Sequence, residues 1–156
     1  MTTGSARLRL GLAVALLAGW LPAAFAADIG QVKTAKGPVT IERAGQSLPV
    51  TVGMRVQTAD VVKTGADASV GITMVDDTLI SAGPNSILSL DRWDYDATTS
   101  KGRFDSSLKT GSLAVVSGRI AKQSPEAMTV RTPFAVLGVR GTELAVATHD
   151  PVPTYR

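Results

Sequence analysis

The chain has 156 residues, no cysteine and one histidine, which together exclude disulfides, thiolate metal centres, cysteine nucleophiles and multi-histidine metal sites. Its formal net charge is +3, but two of the 16 basic residues and none of the 13 acidic ones fall in the first 26 positions, leaving +1 for the remainder with no basic stripe. Low charge and a 4% aromatic content exclude nucleic-acid recognition.

Arg7 and Arg9 precede an uncharged, Leu- and Ala-rich run from Leu10 to Leu21, then the helix-breaking Pro22 and the small-x-small sequence Ala24-Phe25-Ala26. This is the pattern of a secretory signal peptide over residues 1–26. The arginines are not adjacent, which argues against a twin-arginine signal, and no cysteine follows to take a lipid. The uncharged run continues to Ala27, at the lower limit for a membrane span, but Pro22 and the small residues after it favour cleavage. The expected product is a periplasmic protein with no membrane span, one domain at 27–148 and a loose tail at 149–156.

From Ile29 onward short strands alternate with turns. Gly37-Pro38 opens Val39-Thr-Ile41, and Ala44-Gly45-Gln46 forms a hairpin loop into Leu48-Pro-Val50. Ser69 to Val75 is the cleanest strand, with Val70, Ile72 and Met74 on its inward face. Asp76-Asp77-Thr78 turns the chain into Leu79-Ile80, and Gly83-Pro84-Asn85-Ser86 turns it again into Ile87 to Leu90. Strands resume at Leu108 and at Gly111 to Gly118, followed by a loop over 121–127. No long helical periodicity occurs after residue 26. The fold class is therefore all-β, one compact domain of many short strands, either a β-helix or solenoid or alternatively a β-sandwich.

One polar segment interrupts the aliphatic pattern, from Asp91 to Ser107, and reads as a hairpin with its tip near 98–102. Trp93 and Tyr95, at i and i+2, share one face of the outgoing strand; with Arg103 and Phe104 on the return strand they are the candidate partner contact. Core packing of the aromatic pair is the competing reading. Asp91, Asp94 and Asp96 lack the spacing and glycine of a calcium loop, so a solvated hairpin is the better reading. Asp76 and Asp77 are adjacent and would face opposite ways in a strand, which leaves them a turn rather than a catalytic pair. His149 lies beside the tail, a poor place for a catalytic base. No catalytic residue, cofactor site or metal site is expected.

The closing stretch from Met128 to Val146 reads as two or three short strands cut by Pro133, Gly138 and Gly141. Arg131 and Arg140 stand close to these breakers and can either cap backbone carbonyls or present donors to a ligand; capping is the commoner use of such an arginine. Val130-x-Thr132-Pro133-x-Ala135 followed by Val139-Arg140-Gly141-Thr142 resembles the end of FecR-like domains, the periplasmic part of iron-dicitrate-type signalling regulators. Earlier pieces follow the same pattern in order: Gly53-Met-Arg-Val56, Val62-x-Thr64-Gly65, Gly83-Pro84-Asn85-Ser86 and Leu108-x-x-Gly111-x-Leu113. Asp77 departs from it, standing where the family has a turn glycine. The resemblance implies structural roles for Gly65, Gly83, Pro84, Ser86, Gly111, Thr132, Pro133, Arg140, Gly141 and Thr142. It also implies a non-enzymatic module that binds an envelope protein, with self-association into homo-oligomers or packing against the cell wall as the alternative. Only six residues precede Arg7 and 14 follow Thr142, so the anti-sigma and receptor-contacting segments of the regulators are not expected here.

Overall fold

The computed structural model describes residues 26–148; the expected signal peptide, apart from Ala26, and the expected tail with His149 lie outside the described residues. Strands form where aliphatic residues alternate between turns built mostly on glycine, proline and aspartate. They are β1 (Asp28–Lys36), β2 (Val39–Arg43), β3 (Gln46–Pro49), β4 (Arg55–Gln57), β5 (Val61–Thr64), β6 (Ser69–Met74), β7 (Leu79–Ala82), β8 (Ile87–Asp96), β9 (Lys101–Val116), β10 (Met128–Arg131), β11 (Val136–Gly138) and β12 (Glu143–Thr148). Ala44 and Gly45 both adopt positive φ, so β2 and β3 join through a two-residue turn whose twist suits a hairpin.

The strands form two ladders that share β9. Its first half, Lys101 to Thr110, lies between β8 and β10, and that ladder runs β3-β2-β5-β8-β9-β10-β11. Its second half, from Gly111, lies between β7 and β12 in the ladder β4-β1-β6-β7-β9-β12. The result is one curled antiparallel sheet. Successive coils of a β-helix pair in parallel, and among the described ladders only β10 beside β9 does so.

Register carries the inward aliphatics into rows. Val32, Ile72, Ile80 and Val115 align across β1, β6, β7 and β9, and Ile41, Val62, Leu88 and Leu108 align across β2, β5, β8 and β9. None of the eight is more than 2% exposed, and both rows belong to one continuous core. Burying each such side chain contributes about 1.5–3 kcal/mol.

Two features differ from the sequence-based expectation. Gly111 does not separate two strands but bends one 16-residue strand at the point where it changes ladder, with φ +94°. The expected loop over 121–127 contains a single helical turn, α1 (Arg119–Gln123), and a 3-10 turn at Pro125–Ala127. A five-residue helix is too short to show a 3.6-residue period. No helix among the described residues is long and apolar enough to cross a membrane.

A Cβ at Gly111 would stand 2.2 Å from Ser86 Oγ and 2.4 Å from Ser86 Cα. Gly111→Ala should therefore lower the unfolding free energy by about 3 kcal/mol or more, from overpacking added to positive-φ strain. Gly138→Ala, where a Cβ meets nothing within 4 Å, should stay within about 0.5 kcal/mol of the parent. Urea titration of both variants checks the contrast.

Candidate functional site

The hairpin expected between Asp91 and Ser107 is formed by β8 and β9, with residues 97–100 at its tip. The Asp96 carboxylate accepts the Thr98 amide at 2.8 Å, closing the turn, and this bond holds the Asp96 carboxyl below its ordinary range. Trp93 lies opposite Phe104 and Tyr95 opposite Gly102. The Trp93 ring meets Phe104 edge-on at 5.3 Å and lies 6.1 Å from Tyr95.

The structure brings these three aromatics together but not as an open patch. Phe104 is 1% exposed, so it supports Trp93 from behind and offers no surface of its own. Trp93 and Tyr95 are half-buried and pack against the core while keeping an outer edge in water. Among the described residues the buried Tyr95 hydroxyl has no hydrogen-bond partner; the Arg119 guanidinium pairs instead with the Asp77 carboxylate at 2.8 Å.

Arg103 is on the opposite face of the hairpin, since side chains alternate along a strand. Its Nε donates to Asp105 Oδ2 at 2.8 Å, and Thr129 donates to Asp105 Oδ1 at 2.6 Å. Burial disfavours the Asp105 charge, but the bonds from Arg103 and Thr129 and the charges of Arg103 and Arg131 outweigh it, so this carboxyl titrates below the ordinary aspartate range. Asp91 accepts a bond from Ser107, and no cluster of metal-binding side chains occurs among the described residues.

The glycine-rich motif segments, far apart in sequence, converge at two polar nodes. In the first, Thr64 Oγ1 donates to the Gly83 carbonyl at 2.6 Å and accepts the Ser86 amide at 2.8 Å. Ser86 Oγ donates to the same carbonyl at 2.8 Å, with the Ser112 carbonyl at 3.1 Å as the alternative acceptor, and accepts the Ser112 amide at 3.0 Å. The Asn85 amide donates to the Gly65 carbonyl. Thr64-Gly65, Gly83 to Ser86 and Gly111-Ser112 are thus one hydrogen-bonded unit, next to the bend in β9.

The second node is Asp76, fully buried. Its Oδ1 accepts the Thr78 amide at 3.0 Å; its Oδ2 accepts the Thr78 hydroxyl at 2.8 Å and the Ile120 amide at 3.1 Å. The Arg119 amide reaches the Asp76 carbonyl at 2.8 Å. Asp76 therefore caps α1 from 44 residues away. A Cβ at Gly118 would meet the Asp76 carbonyl oxygen at 2.3 Å, so glycine is required for this approach. Asp77 holds φ +68° in the turn, taking the conformation that a glycine would accept freely.

The closing motif is more exposed than the sequence suggests. Thr132 organises the turn between β10 and β11: its Oγ1 accepts the Phe134 and Ala135 amides, and its own amide donates to the Ala135 carbonyl. Ser117 ties down Gly141 and Thr142 by bonds to both carbonyls. Carbonyl capping by Arg131 and Arg140 is not found: both are exposed, and neither guanidinium makes a hydrogen bond among the described residues. Backbone amides and small hydroxyls do the work assigned to them. Sequence reasoning also overlooked Phe134, 71% exposed, within the run Pro133 to Val136 of four exposed apolar residues.

The family model described as FecR protein matches residues 60–154, more than half of the chain. No curated protein matches the chain. A solved structure described as "Cell surface anchoring domain" is 32% identical, aligned over 39% of this chain and 82% of that one with a TM-score of 0.38.

Asp76→Asn replaces an acceptor by an amide that faces three donors and should cost about 2–3 kcal/mol in urea unfolding. Arg140→Ala should shift stability by no more than about 0.5 kcal/mol. The depressed Asp105 carboxyl contributes stability in full above the ordinary aspartate value and loses it as pH falls through the lowered folded value. Asp105→Asn should flatten the acid limb of a thermal-stability profile in that window.

Proposed function

The chain belongs to the FecR protein family, and from that membership we propose that it is a non-enzymatic binding module of the bacterial envelope, serving signalling by capturing another envelope protein. The family match carries this reading. We propose also that residues 1–26 direct export to the periplasm and are removed there.

The proposed contact is the outer edge of the Trp93–Tyr95 pair on β8, with Phe104 as its rigid backing. Half-buried aromatics held by core packing lose little entropy on binding and have a large area to desolvate, which suits an interface anchor. Arg103, on the other face, does not join this surface; it would contact a partner only if the hairpin were gripped from both sides. The buried carboxylates Asp60, Asp76 and Asp105 are each engaged by neighbouring donors, which leaves them as framework rather than chemistry.

A second reading, a self-associating structural protein, draws on β12. Among the described residues β12 pairs only with β9, and its six residues include no proline, lysine or arginine to discourage a further strand.

In living cells, crosslinking of tagged protein followed by mass spectrometry should recover one dominant envelope partner. Tyr95→Ala should reduce that recovery about tenfold or more with β circular dichroism unchanged, while Arg103→Glu should leave it near the parent level. Recovery unaffected by Tyr95→Ala and by Trp93→Ala would remove the hairpin as the contact. Recovery of the chain only with itself would favour pairing through β12.

A further inference from the structure

The turn between β10 and β11 combines three properties that fit a lipid surface. Pro133, Phe134, Ala135 and Val136 are all exposed, with Phe134 at 71% and Val136 at 66%. Four consecutive exposed apolar residues are costly in water and are retained where a surface covers them.

The backbone donors of the turn are already satisfied. Thr132 N–H bonds the Ala135 carbonyl at 2.8 Å, Phe134 and Ala135 N–H bond Thr132 Oγ1 at 3.3 and 3.0 Å, and Pro133 has no N–H. The tip can therefore enter the interfacial region without stranding a backbone N–H, while its carbonyls stay within reach of interfacial water. A protein partner that added a strand here would need free donors instead.

At the base of the tip lie two cations, Lys109 and Arg131, which line one groove of about 390 Å³ with Thr132 and Pro133. Neither forms an ion pair among the described residues. Asp91 lines the same groove, its carboxylate bonded by Ser107, and Arg131 also acts on Asp105, which Arg103 already pairs. We propose that the β10–β11 turn is a membrane-contact site: Phe134 and Val136 enter the interfacial region of an anionic bilayer while Lys109 and Arg131 meet lipid phosphates. The site goes beyond the protein-binding reading and is separate from the Trp93–Tyr95 surface. Because β10 runs parallel to β9, this turn lies at the opposite end of the ladder from the 97–100 tip. One aromatic and two cations make a weak, reversible, salt-sensitive contact, not an anchor.

The chain has no cysteine, so Ala135→Cys and Thr98→Cys each allow one environment-sensitive dye to be attached to the full chain. With vesicles of phosphatidylglycerol and phosphatidylethanolamine, the dye at 135 should shift to the blue and be quenched by bromine-bearing lipid, while the dye at 98 should not respond. Phe134→Ser and the pair Lys109→Gln with Arg131→Gln, made in the same full chain so that any other segment contributes equally, should each weaken vesicle binding about tenfold. About 1 M salt should abolish the contribution of the cations. Thermal unfolding like that of the parent verifies the fold of each variant. A silent dye at 135, or equal responses at 135 and 98, overturns the proposal. A response at 135 to a crosslinked envelope protein but not to vesicles also overturns it, assigning the turn to a protein interface.

Discussion

Two ladders of this molecule depend on one strand, and that strand depends on the close contact between Gly111 and Ser86. β9 must bend where it passes from the β8 side to the β7 side, and the bend brings its backbone against Ser86 at a distance no side chain permits. The Ser86 hydroxyl then ties the bend to the turn between β7 and β8, accepting the Ser112 amide and donating to the Gly83 carbonyl. With β9 bent, the two aliphatic rows become one core. A straight β9 would leave each ladder with an uncovered apolar face.

Buried polar groups do the remaining joining. Asp60 is fully buried and held by two bonds from Arg43 and one from the Gln57 amide. Asp76 gathers the β6–β7 turn and the start of α1. Each carboxylate accepts several donors at once, which offsets the cost of taking its charge out of water. Such nodes are directional where aliphatic packing is not, so they select among the ways a sheet of similar strands could close.

The surfaces left over divide by chemistry. The β8 aromatics are anchored in the core and present an edge, whereas the β10–β11 turn presents a complete apolar tip with cations at its base. The first suits a shaped partner and the second a fluid one. Their positions at opposite ends of one ladder allow both to be engaged at once.

The all-β class, the strand at Ser69 to Val75 with Val70, Ile72 and Met74 inward, the turns at 44–46, 76–78 and 83–86, and the β8–β9 hairpin were legible in the residues, because alternation and turn chemistry are local. So was the family, through the order of its short motifs. The route of β9 through both ladders was not, since a glycine that ends a strand and one that bends it look alike until Ser86 arrives from 25 residues earlier. Nor was the capping of α1 by Asp76, nor the exposure of Arg140 and Phe134. A sequence specifies which residues prefer to be buried; only the closed sheet decides which are reached, because burial is a property of the neighbours that long-range register brings.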